Sequence, residues 1–302
     1  MCDPRIVSNA KYLVEPTPLR LRGKGGIELA ADRFGPEDGP LVIFLHGGGQ
    51  TRHSWKKTGA ILAADGLRVI TLDARGHGDS QWAPDRDYSR AVLVEDLVEV
   101  LDQLGVTADN GAVIVGASMG GITGLLATAH PRGAGIHALV LVDIVTRPEP
   151  QGVERVLNFL GRYRDGFDTV EQAADAVAEY MPHRPRPASN EGLLRNLRHR
   201  DGRWYWHWDP DMIAGRARDA DTDIMARVLE PAARALRIPV MLVRGRMSDV
   251  VSEEAVAEFL DQVPHAQVVE IGNAAHTAAG DDNDAFTDAV ADFVRATARQ
   301  DV

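Results

Sequence analysis

The fold of this 302-residue chain can be worked out from GAVIVGASMGGITGLLATAH, residues 111–130. AVIVG is an apolar run typical of a strand buried on both faces of a parallel sheet, and MGGITGLLATA is predicted to be a helix. Ser118 lies at the junction, with Gly116 and Gly120 two residues away on either side. A sharp strand–turn–helix junction needs small neighbours, and free N–H groups at a helix N-terminus favour a developing negative charge. The context favours a nucleophile at Ser118 over a serine that only caps a helix.

Strands and helices alternate on both sides of this junction. Before it, PLRLRGKGGIELAADRFG is predicted to form a hairpin, and PLVIFLHGGG and LRVITLDARGHGDS each begin with a buried strand. After it come the strand IHALVLVD and, much later, the strand–helix pairs IPVMLVRG, SEEAVAEFLDQV, AQVVEIG and DAFTDAVADFVRATA. This alternation indicates a parallel sheet with right-handed crossovers.

The alternation is interrupted by a charged segment of helical spacing. We predict that residues 1–146 and 237–302 form the α/β core and that residues 147–236 form an inserted helical cap, which includes a helix over NEGLLRNLRH. Within the insertion, RWYWHWDPDM carries Trp204, Trp206 and Trp208. These side chains are interpreted as a pocket wall for an apolar or aromatic group, with ordinary core packing as the alternative.

Composition excludes several classes of partner. The net charge of −11, without a lysine and arginine cluster, argues against nucleic acid and anionic membranes. No run of 18 apolar residues and no signal-peptide pattern occurs, so we expect a cytoplasmic protein without a membrane as a partner. The single cysteine, Cys2, cannot form a cysteine-based metal site, and we expect neither a metal nor a cofactor. The expected partner is a small-molecule substrate, and a homo-oligomer is left open.

A serine hydroxyl needs a base, and the loop GNAAHTAAG before the last helix contains His276. A third group must then hold the imidazole in its tautomer. Asp249, in VRGRMSDVVS, is the predicted acid, because the order Ser–Asp–His is the one used on α/β sheets of this kind. Asp143, at the end of ALVLVD, is the alternative.

Acyl transfer also needs donors for an oxyanion. One is predicted to be the N–H of Met119, the residue after the nucleophile, and the other the N–H of Gly48 in FLHGGGQ. Glycines allow this backbone to approach a ligand closely. His46 is interpreted as a residue that braces the loop by hydrogen bonds.

The combination of motifs resembles the α/β-hydrolase superfamily, in the serine branch with a cap inserted after the sixth strand. The matching motifs are HGGG at 46–49, DARGHGDS at 73–80, GASMGG at 116–121, RGRMSD at 244–249 and NAAH at 273–276. The resemblance implies an α/β fold with a mostly parallel eight-stranded sheet flanked by helices. It implies Ser118 as nucleophile, His276 as base and Asp249 as acid, with Gly48 and Met119 as oxyanion donors. In relatives DARGHGDS is a structural turn that shapes the floor of the site.

The serine at position 118 separates the chain from relatives that carry aspartate there, the haloalkane dehalogenases and epoxide hydrolases. We expect a carboxylesterase that cleaves a small-molecule ester through an acyl-enzyme. Three alternatives stay open: a carbon–carbon bond hydrolase of ring-cleavage products, a cofactor-free perhydrolase and a non-catalytic ligand-binding receptor. Gln50 stands where carbon–carbon hydrolases usually have proline, which weakens the first alternative.

Overall fold

An eight-stranded sheet is the framework of the computed structural model, which describes residues 14–182, 186–187, 189–214, 221–272 and 284–298. The strands in these ranges are β1 (Thr17–Arg22), β2 (Glu28–Phe34), β3 (Leu41–Leu45), β4 (Arg68–Leu72), β5 (Ala112–Ala117), β6 (Ile136–Val142), β7 (Leu197–Arg200), β8 (Arg203–Trp206), β9 (Val240–Gly245) and β10 (Gln267–Ile271). The large sheet has the order β1-β2-β4-β3-β5-β6-β9-β10, and β7 and β8 form a separate hairpin. Strand β2 pairs antiparallel with β1 and β4, and all other pairs in the large sheet are parallel. The predicted mostly parallel eight-stranded sheet and its N-terminal hairpin are confirmed.

Helices cover both faces of the sheet. In the described ranges they are α1 (Lys56–Ala64), α2 (Arg90–Gln103), α3 (Met119–Thr128), α4 (Pro150–Gly161), α5 (Val170–Tyr180), α6 (Glu191–Leu194), α7 (Asp211–Ala214), α8 (Thr222–Ala235), α9 (Glu253–Gln262) and α10 (Asp284–Ala298). Apolar side chains of α2, α3, α8 and α9 belong to one core cluster, and those of α1 and α10 to a second. Alternate residues of strand β5 enter the two clusters, Ile114 the first and Val115 the second. None of these helices combines the length and apolar character that a bilayer span requires.

The segment between β6 and β9 contains α4, α5, α6, the β7–β8 hairpin, α7 and α8, and we call it the insertion. One predicted helix in it is wrong in part, because α6 ends at Leu194 and Leu197–Arg200 forms strand β7. Asp201 and Gly202 both have positive φ, 49° and 79°, as a tight hairpin turn requires. The aromatic run that follows suits a strand, so turn and strand propensity together outweigh the helical spacing. The cap boundaries at residues 147 and 236 stay a prediction.

Candidate active site

Ser118 stands in a strained backbone conformation between β5 and α3. Its φ of 45° and ψ of −110° lie where non-glycine residues are rare, and such outliers concentrate at functional sites. Its N–H donates to the carbonyl of Val142 at 3.0 Å, and its carbonyl accepts the N–H of Ile122 at 2.9 Å. A Cβ at Gly116 would lie 2.4 Å from the carbonyl oxygen of Gly120, so the turn closes only on residues this small.

A cavity of about 560 Å³ opens above Ser118. From the core, Gly48, Ser118 and Met119 line its floor. The opposite wall comes mainly from apolar side chains of the insertion, among them Val153, Val156, Leu157, Phe159, Leu160, Val177, Trp206 and Trp208. Its size and mostly apolar lining are typical of a small-molecule site.

The turn Gly47–Gln50, which we call the oxyanion turn after its predicted donor, lies at the edge of this cavity. The carbonyl of Gly47 accepts two hydrogen bonds, from His46 Nδ1 at 2.8 Å and from the N–H of Gln50 at 3.1 Å. In a trans peptide the N–H points opposite to the carbonyl, so the Gly48 N–H is directed away from both donors. Gly48 lines the same cavity as Ser118 and Met119, and the role of its N–H as an oxyanion donor stays a prediction.

His46 makes the bracing contacts that the sequence predicts. Its Nδ1–H donates to Gly47, and its Nε2 accepts the N–H of Ala74 at 3.0 Å. Burial lowers the pKa of His46, so the ring stays neutral and can donate at one nitrogen and accept at the other. His46 therefore connects the oxyanion turn to the loop after β4.

Asp143, the alternative acid, follows β6 directly and has no solvent exposure. Its φ is 51°, a second strained position next to that of Ser118. Its Oδ1 accepts the N–H of Gly245 at 3.1 Å, and its Oδ2 accepts the hydroxyl of Ser248 at 2.6 Å. The N–H of Ser118 is hydrogen-bonded to the carbonyl of Val142, and Asp143 is the residue that follows Val142. Asp143 is therefore close to the backbone of the predicted nucleophile.

Asp249, the predicted acid, lies in the loop after β9 and contacts the insertion. Its Oδ2 pairs with Arg155 on α4 at 2.8 Å, and its side chain is 36% exposed. Its buried Oδ1 has no hydrogen-bond partner among the described residues. A Cβ at Gly152 of α4 would lie 2.0 Å from the carbonyl oxygen of Asp249. Asp249 is therefore part of the contact between insertion and sheet, and its role as the acid stays a prediction.

His276, the predicted base, lies outside the described residues, which stop at residue 272 and resume at residue 284. The described part of the chain contains no group of three or more His, Cys, Asp and Glu side chains that could hold a metal ion.

The three predicted pocket tryptophans occupy different surroundings. Trp206 and Trp208 line the cavity and stack on each other, with ring centroids 4.9 Å apart. Trp204 is not among the described residues that line the cavity, and its ring packs 4.8 Å from that of His199. Each residue of a strand advances about 3.3 Å, so Trp204 lies roughly 7 Å nearer the hairpin turn than Trp206.

The family follows from comparison with known proteins. The sequence model described as "alpha/beta hydrolase fold" matches residues 40–282, which is more than half of the chain. The chain belongs to the α/β-hydrolase family.

Several relatives of this α/β-hydrolase are esterases or other hydrolases of esters. The esterase Rv0045c of Mycobacterium tuberculosis is 31% identical over 267 residues, which cover 85% of this chain and 82% of the relative. The sn-1-specific diacylglycerol lipase ABHD11 of Mus musculus is 30% identical, with 84% and 81% covered. The 3-hydroxybutyrate-oligomer hydrolase of Cupriavidus necator is 26% identical, with 80% and 84% covered. These relatives support hydrolase activity, with ester hydrolysis as its type.

Solved structures agree on the fold of this α/β-hydrolase. E-2-(acetamidomethylene)succinate hydrolase superimposes with a TM-score of 0.81 at 23% identity, covering 93% of this chain and all of that one, which shows the fold alone. The crystal structure of Rv0045c superimposes with a TM-score of 0.68 at 28% identity, covering 93% of this chain and 90% of that one.

Sequence reasoning missed three polar residues near the site of this α/β-hydrolase. Ser248 donates to Asp143, while the rings of His77 and His207 contact Gly49 of the oxyanion turn. Ser248 stands next to the predicted acid, and His77 lies in the turn DARGHGDS, yet neither position indicates its partner. His207 lies inside the aromatic run RWYWHW and is 158 residues away from Gly49 along the chain, so only the fold brings them together.

Proposed function

We propose that this protein is a serine hydrolase that cleaves a small-molecule carboxylic ester through an acyl-enzyme. The observation that carries the proposal is the strained Ser118 at the N-terminus of α3, on the floor of an apolar cavity that Gly48 and Met119 also line. The ester-cleaving relatives support the bond type. Acyl transfer requires a nucleophile and oxyanion donors around one pocket, and the proposal is supported because Ser118, Gly48 and Met119 line the same cavity.

In the proposed mechanism the Ser118 oxygen attacks the ester carbonyl carbon while His276 takes the hydroxyl proton. The N–H groups of Gly48 and Met119 donate to the oxyanion of the tetrahedral intermediate. That intermediate collapses, the carbon–oxygen bond to the alcohol breaks, and His276 returns the proton to the departing alkoxide. A water molecule, deprotonated by His276, then attacks the acyl-enzyme, which releases the carboxylic acid and restores the Ser118 hydroxyl.

For the acid that orients His276, our proposal differs from the sequence prediction and assigns Asp143. A charged group stabilises an imidazolium best when it is shielded from water, and Asp143 is fully buried, whereas the side chain of Asp249 is 36% exposed. Arg155 already neutralises Asp249. Asp143 is also held by Gly245 and Ser248, which fixes the carboxylate as an orienting group must be fixed.

The cavity supports an uncharged substrate with a bulky apolar group. Among the described lining residues the cationic side chains are Arg90 and Arg186, and Arg186 pairs with Asp175 at 2.5 Å. A cation already paired with a carboxylate offers little to a substrate carboxylate. The mostly apolar lining and the ion pair of Arg186 therefore support neutral aliphatic or aromatic esters over half-esters of dicarboxylic acids.

The test compares wild type and Ser118→Ala on p-nitrophenyl butyrate, p-nitrophenyl octanoate and a monosuccinate ester. We expect the neutral esters to be hydrolysed fastest and Ser118→Ala to lower kcat by several orders of magnitude with the fold intact. A fluorophosphonate adduct, mapped by peptide mass, should lie on Ser118. Adding a ring-cleavage dienoate and a peracid assay separates the carbon–carbon hydrolase and perhydrolase alternatives. A wild type inactive on every substrate would leave the receptor alternative and refute the proposal.

A further inference from the structure

Two buried histidines hold Gly49, the residue after the proposed oxyanion donor. The N–H of Gly49 donates to His77 Nε2 at 3.2 Å, and the carbonyl of Gly49 accepts from His207 Nε2 at 3.2 Å. His77 belongs to the loop after β4, whereas His207 follows β8 in the insertion. The two hydrogen bonds therefore reach the oxyanion turn from two separate parts of the chain.

Gly49 needs such contacts because its own backbone does not select one conformation. The turn Gly47–Gln50 is closed by the N–H of Gln50 on the carbonyl of Gly47, and Gly49 has a φ of +74°, as the third residue of a type II turn requires. Glycine populates both signs of φ almost equally, so hydrogen bonds from outside the turn must make the choice. The Gly49–Gln50 peptide, whose carbonyl His207 holds, carries on its other side the N–H of Gln50, which donates to the carbonyl of Gly47. The Gly48 N–H lies on the opposite side of the Gly47–Gly48 peptide from that carbonyl, so its direction depends on how the Gly49–Gln50 peptide is held.

The insertion also packs directly on this turn. A Cβ at Gly49 would lie 2.4 Å from Leu160 of α4 and 3.3 Å from the ring of Trp208. The second nitrogen of His207, Nδ1, accepts the N–H of Gly78 at 2.7 Å, while Arg198 of β7 donates to the carbonyl of Gly78 at 2.8 Å. His207 thus joins the oxyanion turn to the loop that carries His77.

The His207 ring has one protonation state that fits these contacts. Nδ1 must lack a proton to accept from Gly78, and Nε2 must carry one to donate to Gly49. Burial lowers the pKa of His207 to about 3, so this neutral form is present at any ordinary assay pH.

We propose that His207 is a positioning residue through which the insertion fixes the oxyanion turn. By holding the carbonyl of Gly49, it directs the N–H of Gln50 onto the carbonyl of Gly47 and so keeps the trans N–H of Gly48 directed at the developing oxyanion. A docked insertion thus completes the catalytic geometry. This inference rests on the proposed ester hydrolysis at Ser118. It assigns to the insertion a role in the rate of the reaction, beyond that of a wall for the substrate.

The test uses two substitutions that each keep one of the two hydrogen bonds. His207→Gln can place an amide N–H near the position of Nε2 and keep the bond to Gly49, whereas His207→Asn can place its oxygen near Nδ1 and keep only the bond from Gly78. We expect His207→Asn to lower kcat about 10- to 100-fold with little change in KM, and His207→Gln to recover most of that loss. Inhibition by a trifluoromethyl ketone, which forms the tetrahedral adduct, should weaken in parallel with kcat/KM.

A matched control separates this role from general stability of the insertion. Leu197→Ala removes a buried side chain of β7 that pairs with β8, and it should lower the melting temperature while kcat stays at the wild-type value. The inference is overturned if His207→Asn is as active as His207→Gln, or if Leu197→Ala loses kcat equally. If Ser118→Ala keeps full activity, the proposed function fails instead, whatever the His207 variants do.

Discussion

The substitutions Asp143→Asn and Asp249→Asn give opposite expectations for the two candidate acids. Asparagine keeps the shape of each side chain but removes the charge that would stabilise the imidazolium of His276. For Asp143 we expect kcat to fall by about 10⁴, the size of the loss when a serine hydrolase loses its orienting carboxylate, which corresponds to about 5.4 kcal/mol. The isosteric amide can still accept from Gly245 and contact Ser248, so the fold should persist.

For Asp249 the structure gives a much smaller expectation. Its ion pair with Arg155 joins side chains that are 36% and 42% exposed, and exposed pairs contribute about 0–1 kcal/mol. Even if the transition state lost the whole energy of this ion pair, kcat would fall no more than about fivefold. We expect a small drop in melting temperature and nearly wild-type kcat.

The assay is steady-state hydrolysis of p-nitrophenyl butyrate from pH 5 to 9, with circular dichroism and thermal melts as controls for folding. Removing a neighbouring negative charge lowers the pKa of an imidazole, so the acidic limb of kcat/KM should shift to lower pH in Asp143→Asn and stay in place in Asp249→Asn. If Asp249→Asn loses about 10⁴ and Asp143→Asn does not, the assignment of Asp143 is wrong and the sequence prediction is right.

Three further predictions concern the insertion and the oxyanion turn. Trp206→Phe should change the kcat/KM ratio of octanoate to acetate esters roughly tenfold, because Trp206 lines the cavity. Trp204→Phe should leave that ratio unchanged, and equal effects of the two variants would refute the difference in position. Gly49→Ala should lower kcat at least about tenfold on any ester, because its φ of +74° is strained for alanine and Leu160 occupies the space; a wild-type kcat would contradict the proposed role of this turn. Burial lowers the pKa of His207 to about 3, whereas an unfolded histidine titrates near 6.5, so between these pH values the unfolded chain binds more protons and stability falls as the pH falls. In urea unfolding, His207→Gln should reduce the slope of the unfolding free energy against pH by up to about 1.4 kcal/mol per pH unit. An unchanged slope would show that the buried ring does not titrate as stated.

The sequence predicts the sheet well because the residues that define each strand and turn are consecutive in the chain. Each buried strand is a short apolar run, and the glycines around Ser118 permit one kind of turn, so GAVIVGASMGG indicates both the strand–helix junction and the position of the proposed nucleophile. The oxyanion turn is predicted for the same reason, since HGGG allows a tight backbone turn beside the end of β3.

The contacts between distant parts of the chain are not predictable in this way. Asp143 and Asp249 both follow buried strands, and only the burial of one and the ion pair of the other distinguish them. In the sequence His207 is only part of an aromatic run, and its hydrogen bond to Gly49 is seen only in the fold. The β7–β8 hairpin is missed because its Leu197 has helical spacing from Leu193 and Leu194 of α6, and the turn at Asp201 and Gly202 decides the outcome.

Trapping the acyl-enzyme is the most direct measurement of the central claim, the attack of Ser118 on an ester carbonyl. Wild-type protein is mixed with excess p-nitrophenyl octanoate, quenched in acid within milliseconds, digested and analysed by mass spectrometry. We expect an octanoyl mass increment on the peptide that contains Ser118, formed as fast as the burst of p-nitrophenol and absent from Ser118→Ala. A burst without that increment, or the increment on another residue, would contradict the account.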